Sequence, residues 1–162
     1  MILKAYNRNA AASYAKKWAT SRNEKYYDFE NLGGDCTNFA SQCIFAGSGE
    51  MNFEPNGWFY ISSYKRSPSW TSVEDLYKFL LRNKKSSGPI AIETTMENML
   101  LGDIVQIKTN DTYTHSLVIS EIEELSAFGI KVCAHTYDAL NRRLSTYNLK
   151  DARFLHITGF FK

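Results

Sequence analysis

The stretch Gly-Gly-Asp-Cys-Thr-Asn-Phe at residues 33–39 does most to decide the fold and chemistry of this chain. Two glycines favour a tight turn, and Asp35 is a good N-cap because its carboxylate can accept hydrogen bonds from free amides of a first helical turn. Cys36 would then lie at the positive end of the helix dipole, where a thiolate is favoured. The stretch therefore predicts a reactive cysteine at a helix N-terminus.

Two histidines farther along the chain are candidates to act with Cys36 in catalysis. We predict that His115 opens a strand and takes the Cys36 proton, and that His135 ends the next strand and holds the His115 ring in one tautomer. Asp138, just past that strand, is the alternative third member. We favour His135 because a strand holds a side chain more rigidly than a loop does. A cysteine with a histidine base indicates a cysteine hydrolase, and the Cys36 backbone amide would supply one oxyanion donor.

Four more residues are candidates for oxyanion or substrate binding. Asp35 adjoins the nucleophile, and Tyr26 and Tyr27 precede it closely enough to hydrogen-bond a substrate amine or carbonyl. Trp58 belongs to an aromatic loop that either lines a substrate groove or forms a small satellite core. By contrast, we interpret His156 as a structural residue of the last strand.

Composition limits the classes of function. The 162 residues, 44% of them hydrophobic, are enough for one domain spanning 1–162. A net charge of +2 with scattered basic pairs does not indicate a nucleic-acid surface. Three cysteines without a C-x-x-C pair argue against a disulfide framework and disfavour zinc, so we predict no metal and no cofactor. We expect Cys43 and Cys133 to be inert buried thiols.

The chain shows neither a membrane-spanning apolar run nor a signal-peptide pattern. These observations predict no membrane span. They leave two locations open, the cell interior or a processed or excised domain of a secreted protein. We expect a monomer.

Periodicity divides the chain into a helical first half and a second half of strands. The predicted helices are Asn7–Thr20, Asp35–Ala46 with Gly47 as C-cap, and a third from Val73 to Asn83 after a Thr71 or Ser72 cap. The predicted strands are Ile104–Ile107, His115–Glu121, Ile130–His135 and Phe154–Phe161, with Leu144–Leu149 as a further edge and Ser86–Pro89 as a turn. Helices followed by strands predict an α+β domain.

Several motifs, in this order, resemble the putative amidase domain of Gram-positive bacteria. They lie at 34–42, 102–106 and 114–116, with further likeness at 6–12 and 134–138. That family is related to the NlpC/P60 and CHAP cell-wall hydrolases. The resemblance implies a papain-like fold with N-terminal helices packed on a small antiparallel sheet, a Cys36–His115 pair and His135 as third polar residue.

The resemblance also implies hydrolysis of an amide bond in peptidoglycan. The enzyme would be an N-acetylmuramoyl-L-alanine amidase or a stem-peptide endopeptidase, acting through a thioester. Relatives are often secreted or associated with the cell wall. Two alternatives stay open, an acyltransferase that uses the same site and a non-catalytic peptidoglycan-binding module.

Overall fold

The computed structural model describes residues 1–162. Seven strands and four helices follow one another as β1 (Leu3–Lys4), α1 (Arg8–Trp18), α2 (Cys36–Ser48), α3 (Pro68–Thr71), α4 (Val73–Arg82), β2 (Gly88–Thr94), β3 (Ile104–Thr109), β4 (Thr112–Ile122), β5 (Ile130–Ala134), β6 (Ala139–Arg143) and β7 (Arg153–Phe161). Single turns of 3₁₀ helix occur at Met96–Asn98 and Leu144–Thr146.

All seven strands belong to one antiparallel sheet in the order β1-β7-β3-β4-β5-β6, with β2 also paired to β7. The last strand thus pairs with three others, β1, β2 and β3. Its alternating buried positions, among them Leu155 and Ile157, are those expected of a strand with a packed face.

The expected papain-like fold, with N-terminal helices on a small antiparallel sheet, is wrong. The protein is mostly sheet, its sheet has seven strands, and its longest helix has 13 residues. Strands β1 and β2, which precede the predicted strands in the chain, both pair with β7 near its end. Periodicity concealed these strands because β1 is only two residues long and β2 begins inside the predicted Gly-Pro turn.

Helix ends follow local capping, with one correction. The Asn7 side chain accepts from the Ala10 amide, and the Ser72 side chain accepts from the Asp75 amide. Helix α2 runs past Gly47 and ends at Gly49, whose φ of 67° is the left-handed C-cap conformation. Gly47 is therefore not the C-cap. A side chain is excluded at this position because a Cβ would lie 2.2 Å from the Tyr6 ring.

Two strand predictions also need correction. Strand β4 begins at Thr112, so His115 lies inside it rather than opening it, because the β3–β4 hairpin continues to a tight turn at Asn110 with φ 56°. The edge strand is β6 at Ala139–Arg143, whereas the predicted strand at 144–149 begins as a 3₁₀ turn.

The sheet separates two hydrophobic cores. The helix-side core packs α1, α2 and α4 on the sheet through residues such as Phe39, Val118 and Cys133. The far-side core contains Leu117 and Ile119 of β4 together with Val132, Ala134 and Leu144. Cys43 and Cys133 are both free thiols and fully buried. None of the helices is long and apolar enough to cross a membrane.

Candidate functional site

The glycine turn before α2 places Cys36 against the end of β5. Gly33 and Gly34 have φ of 92° and 103°, a region that side chains rarely adopt. A Cβ on Gly34 would lie 3.1 Å from the Thr136 hydroxyl, and the next amide, that of Asp35, donates to the same hydroxyl at 2.8 Å. The tight turn is therefore packed against Thr136. Cys36 follows it as the first residue of α2.

Asp35 occupies the N-cap position, but its carboxylate does not cap the helix. One carboxylate oxygen accepts from the Phe29 amide at 2.9 Å and from the Asn38 side chain at 2.8 Å. The other oxygen lies 2.5 Å from Nδ1 of His135. The carboxylate thus ties the turn to the sheet instead of binding the first-turn amides, as the sequence had led us to expect.

His135 is 1% exposed and both of its ring nitrogens are occupied. Nε2 lies 2.7 Å from the Trp18 carbonyl oxygen and must carry a hydrogen, because a carbonyl can only accept. Nδ1 makes the short hydrogen bond with the Asp35 carboxylate. The ring also stacks on Phe39 at 4.0 Å. His135 is thus brought to Asp35 and makes no hydrogen bond with His115.

The Cys36 thiol lies against β4. Its Sγ is 3.7 Å from the carbonyl oxygen of Thr114, the residue before His115, and 3.8 Å from the Thr37 hydroxyl. Burial raises the pKa of the Cys36 thiol, and hydrogen bonds from the Ser116 backbone and Thr37 offset this only in part. The expectation of a resting thiolate is therefore corrected, because burial outweighs the helix dipole.

His115 lines a cavity of about 390 Å³ on the neighbouring surface. Its ring lies 6.3 Å from the Tyr147 ring and makes no hydrogen bond with another residue. Burial, with a smaller effect of the Arg142 charge, lowers the pKa of His115 to about 4, so the ring is neutral near pH 7. Thr114 and Thr136 line the same cavity, and each contacts the Cys36 segment. Cys36 thus contacts the backbone of the residue before His115, and no hydrogen bond joins its thiol to the His115 ring.

Asp138, the alternative third member, faces away from this arrangement. Its two oxygens accept from Arg22 at 2.9 and 3.0 Å. The same guanidinium lies within ion-pair distance of Asp28, Glu30 and Asp35. Asp138 makes no hydrogen bond with His115 and belongs to this ion-pair network.

The three aromatic candidates occupy different environments. Tyr26 is half-buried and stacks on Trp70 at 6.0 Å, whereas Tyr27 is 45% exposed and its backbone amide donates to the Tyr60 hydroxyl. Trp58 is fully buried and donates from Nε1 to the Ser41 hydroxyl at 3.0 Å. Trp58 therefore belongs to the helix-side core, and the structure does not bring it to Cys36.

Three residues around His115 carried no useful signal in the sequence. Thr136 adopts φ 54°, which is rare for a β-branched residue and becomes visible only in the folded backbone. Arg142 and Tyr147 line the cavity, with the guanidinium 4.0 Å above the Tyr147 ring. Arg142 had the features of an ordinary surface cation, and only the pairing of β6 with β5 brings it here.

The structure contains no group of three or more His, Cys, Asp or Glu side chains arranged to hold a metal ion. The side chains that line the cavity beside His115 are hydroxyl, aromatic, aliphatic, imidazole and guanidinium groups. They offer hydrogen-bond donors and one positive charge to a ligand.

Comparison with known proteins gives one family match and one relative. A family model described as a putative amidase domain matches residues 5–158. An uncharacterized protein of Bacillus subtilis (strain 168), YhbB, is 29% identical over 119 residues. The match covers 70% of this chain and 37% of that protein. No solved structure matches the chain significantly.

Proposed function

We propose that this chain, which belongs to the putative amidase domain family, is a cysteine-dependent amidohydrolase with Cys36 as nucleophile and His115 as base. The family description points to amide hydrolysis in general; the cysteine mechanism and the substrate are our proposal. One observation carries it. The thiol at the first residue of α2 lies 3.7 Å from the carbonyl oxygen of the residue before His115.

The first step follows from the resting protonation states. The pKa of Cys36 is raised and that of His115 is lowered to about 4, so both groups are uncharged near pH 7. His115 therefore removes the Sγ proton as the sulfur attacks the amide carbonyl, rather than holding a preformed thiolate. No hydrogen bond in the structure restrains the imidazole, and its approach to the thiol is part of the proposal.

The α2 N-terminus supplies the stabilisation of the intermediate. The Cys36 backbone amide makes no hydrogen bond within the chain and is free to donate to the developing oxyanion. The C–N bond then breaks, and the amine leaves with the proton from His115. Water, deprotonated by the same ring, attacks the Cys36 thioester and releases the acid and the free thiol.

His135 and Asp35 act as positioning residues in this scheme. Their buried pair fixes the turn that carries Cys36, so the third polar residue orients the nucleophile rather than the base. Arg22 also stabilises this turn, because its guanidinium forms ion pairs with both Asp138 and Asp35. Tyr26 and Tyr27 stay candidates for substrate contact.

We further propose peptidoglycan as the substrate, cut either between sugar and peptide or within the stem peptide. This rests on the order of the motifs around Cys36, His115 and His135. A relation to the NlpC/P60 and CHAP hydrolases rests on the same motifs and is part of the proposal, as is a single catalytic domain over residues 1–162.

The test is digestion of purified peptidoglycan by the native protein and by Cys36→Ala, with products identified by mass spectrometry. Cys133→Ala is the matched control, because it removes another buried free thiol, one that bonds to the Asn141 side chain and not to the Thr114 carbonyl. We expect Cys36→Ala to lower the rate at least about a thousandfold and Cys133→Ala to retain cleavage. His115→Gln should be similarly inactive, with folding of each variant verified by circular dichroism.

The products and inhibitors discriminate the alternatives. Fragments that carry a new carboxylate indicate hydrolysis, whereas a new amide bond to an added amine indicates acyl transfer. Iodoacetamide should abolish cleavage, and EDTA should not. Equal cleavage by native protein and Cys36→Ala would overturn the proposal, and binding without cleavage by the native protein would point to a binding module.

A further inference from the structure

We propose that the cavity beside His115 is a carboxylate-binding subsite, formed by Arg142 and Tyr147, that selects amides carrying a free carboxylate near the bond to be cut. The inference rests on the proposed amidase function and narrows its substrate class. Thr114 connects the cavity to the nucleophile, because it lines the cavity and its carbonyl oxygen lies 3.7 Å from Cys36 Sγ.

Arg142 is held in place without an acidic partner. Its Nε donates to the Thr146 hydroxyl at 2.7 Å and its Nη2 donates to the Thr146 carbonyl at 3.2 Å. The guanidinium lies 4.0 Å above the Tyr147 ring, and Nη1 makes no hydrogen bond. Its neighbour Arg143, in contrast, pairs with Glu123 at 3.3 Å. A fixed guanidinium with an unused edge suits the two oxygens of a carboxylate.

The Tyr147 hydroxyl provides an independent observation in favour of a ligand in this cavity. Its hydroxyl is buried and has no hydrogen-bond partner of normal geometry, although Arg142 is close enough to affect its ionisation. Burial raises the pKa of Tyr147, so the hydroxyl keeps its proton and can donate. A buried, unpartnered hydroxyl is costly, and a ligand oxygen would remove that cost.

The positive charge of the cavity favours an anionic ligand. No Asp or Glu side chain lines the cavity, and the Arg142 guanidinium is the charged group among its lining residues. A substrate ammonium would meet the Arg142 charge with nothing to offset it. A carboxylate would neutralise that charge.

Binding of a carboxylate would also strengthen the base. The titratable groups near the His115 ring are Arg142 from β6 and Tyr147 beyond it, and the Arg142 charge helps to lower the His115 pKa. Pairing Arg142 with a carboxylate removes part of that effect and raises the pKa of His115 toward its ordinary value. The right substrate would therefore make His115 a better base.

The catalytic arm compares peptidoglycan before and after its carboxylates are converted to carboxamides with carbodiimide and ammonium. We expect Arg142→Gln to lower kcat/KM on the untreated peptidoglycan, and this loss should be about tenfold larger than the loss on the amidated peptidoglycan. A tenfold difference corresponds to the loss of one hydrogen bond to a charged group. Tyr147→Phe, which keeps the ring, should show the same preference more weakly. Arg143→Gln, with the same change of charge, should match native protein on both. Equal losses on both materials, or none, would overturn the subsite.

The second arm needs no turnover. Acetyl-alanyl-glutamate and its diamide are titrated into Cys36→Ala protein, and the His115 ring signals are followed by NMR across pH. We expect the acid to raise the His115 pKa and to bind at least about tenfold more tightly than the diamide, with both effects lost in the added Arg142→Gln change. Equal binding of the two probes, or binding of neither, overturns the subsite. If acid-selective binding occurs while native protein cleaves nothing, the proposed function fails and the subsite stands.

Discussion

At the residue scale, the site combines an uncharged thiol with an uncharged imidazole. Burial raises the pKa of Cys36, and burial together with the Arg142 charge lowers that of His115 to about 4. Residue types alone indicated a thiolate stabilised by the helix dipole. In the folded chain, desolvation is the larger effect, so the reactive form arises only when the proton moves to His115.

These protonation states predict the acid limb of the pH profile. His115 is an effective base only when neutral, so kcat/KM should persist as pH falls below 6.5 and decline toward pH 4. Arg142→Gln removes a positive charge that lowers this pKa, so the limb should move to higher pH. The measurement is kcat/KM against pH, supported by NMR titration of His115. Arg143→Gln serves as control, and a native limb near pH 6.5 would contradict the prediction.

At the scale of elements, the glycine turn at residues 33–34 sets the position of α2. The Asp35 amide and Gly34 both approach the Thr136 hydroxyl, and the Asp35 carboxylate binds His135. The turn is therefore attached to the end of β5 at two places. Thr136 itself adopts φ 54°, a strained conformation for a β-branched residue that these contacts help to maintain.

Alanine substitutions of the two glycines should separate backbone strain from close packing. Both residues have positive φ, but only at Gly34 does a Cβ meet another atom, the Thr136 hydroxyl at 3.1 Å. We expect Gly33→Ala to lower the free energy of unfolding by about 1–2 kcal/mol and Gly34→Ala by about 2–3 kcal/mol. Urea unfolding measures the difference. Gly34→Ala should also lower kcat, because Cys36 moves; equal stability and activity of the two variants would contradict this prediction.

At the scale of the whole molecule, Asp103 joins the two ends of the chain. This carboxylate is fully buried and accepts from Arg8 at 2.7 Å, from His156 at 2.7 Å and from the Ile157 amide at 2.9 Å. Arg8 begins α1, whereas His156 and Ile157 lie in β7. One side chain thus fastens the first helix to β7, the last strand of the chain.

Removing this carboxylate should weaken the fold without changing the chemistry of the site. Asp103→Ala leaves the Arg8 charge and the Ile157 amide without their partner, and we expect a loss of about 3–5 kcal/mol in the free energy of unfolding. His156→Gln should cost less, because that ring is partly exposed and bonds only to Asp103. Thermal unfolding measures both. Activity per folded molecule should stay near native, since no partner of Asp103 lines the cavity; a selective loss of activity would contradict this.

Local signals predicted much of the secondary structure. Capping and periodicity located α1, α2 and α4 to within a few residues, and runs of Ile, Val and Leu located β3, β4, β5 and β7. They missed β1 and β2, because these two segments are strands through their pairing with β7. The papain-like expectation failed because it assumed a small sheet, whereas β1 and β2 extend the sheet to seven strands.

The sequence by itself determined the segment that presents Cys36 and the strand that carries His115, because turns, caps and apolar alternation depend on neighbours a few residues away. The tertiary structure decided everything that joins distant segments: the seven-stranded sheet, the pairing of His135 with Asp35 across 100 residues, and the placement of Arg142 and Tyr147 beside His115. It also decided the protonation of both groups, because burial and the field of a remote charge exist only once the chain is packed.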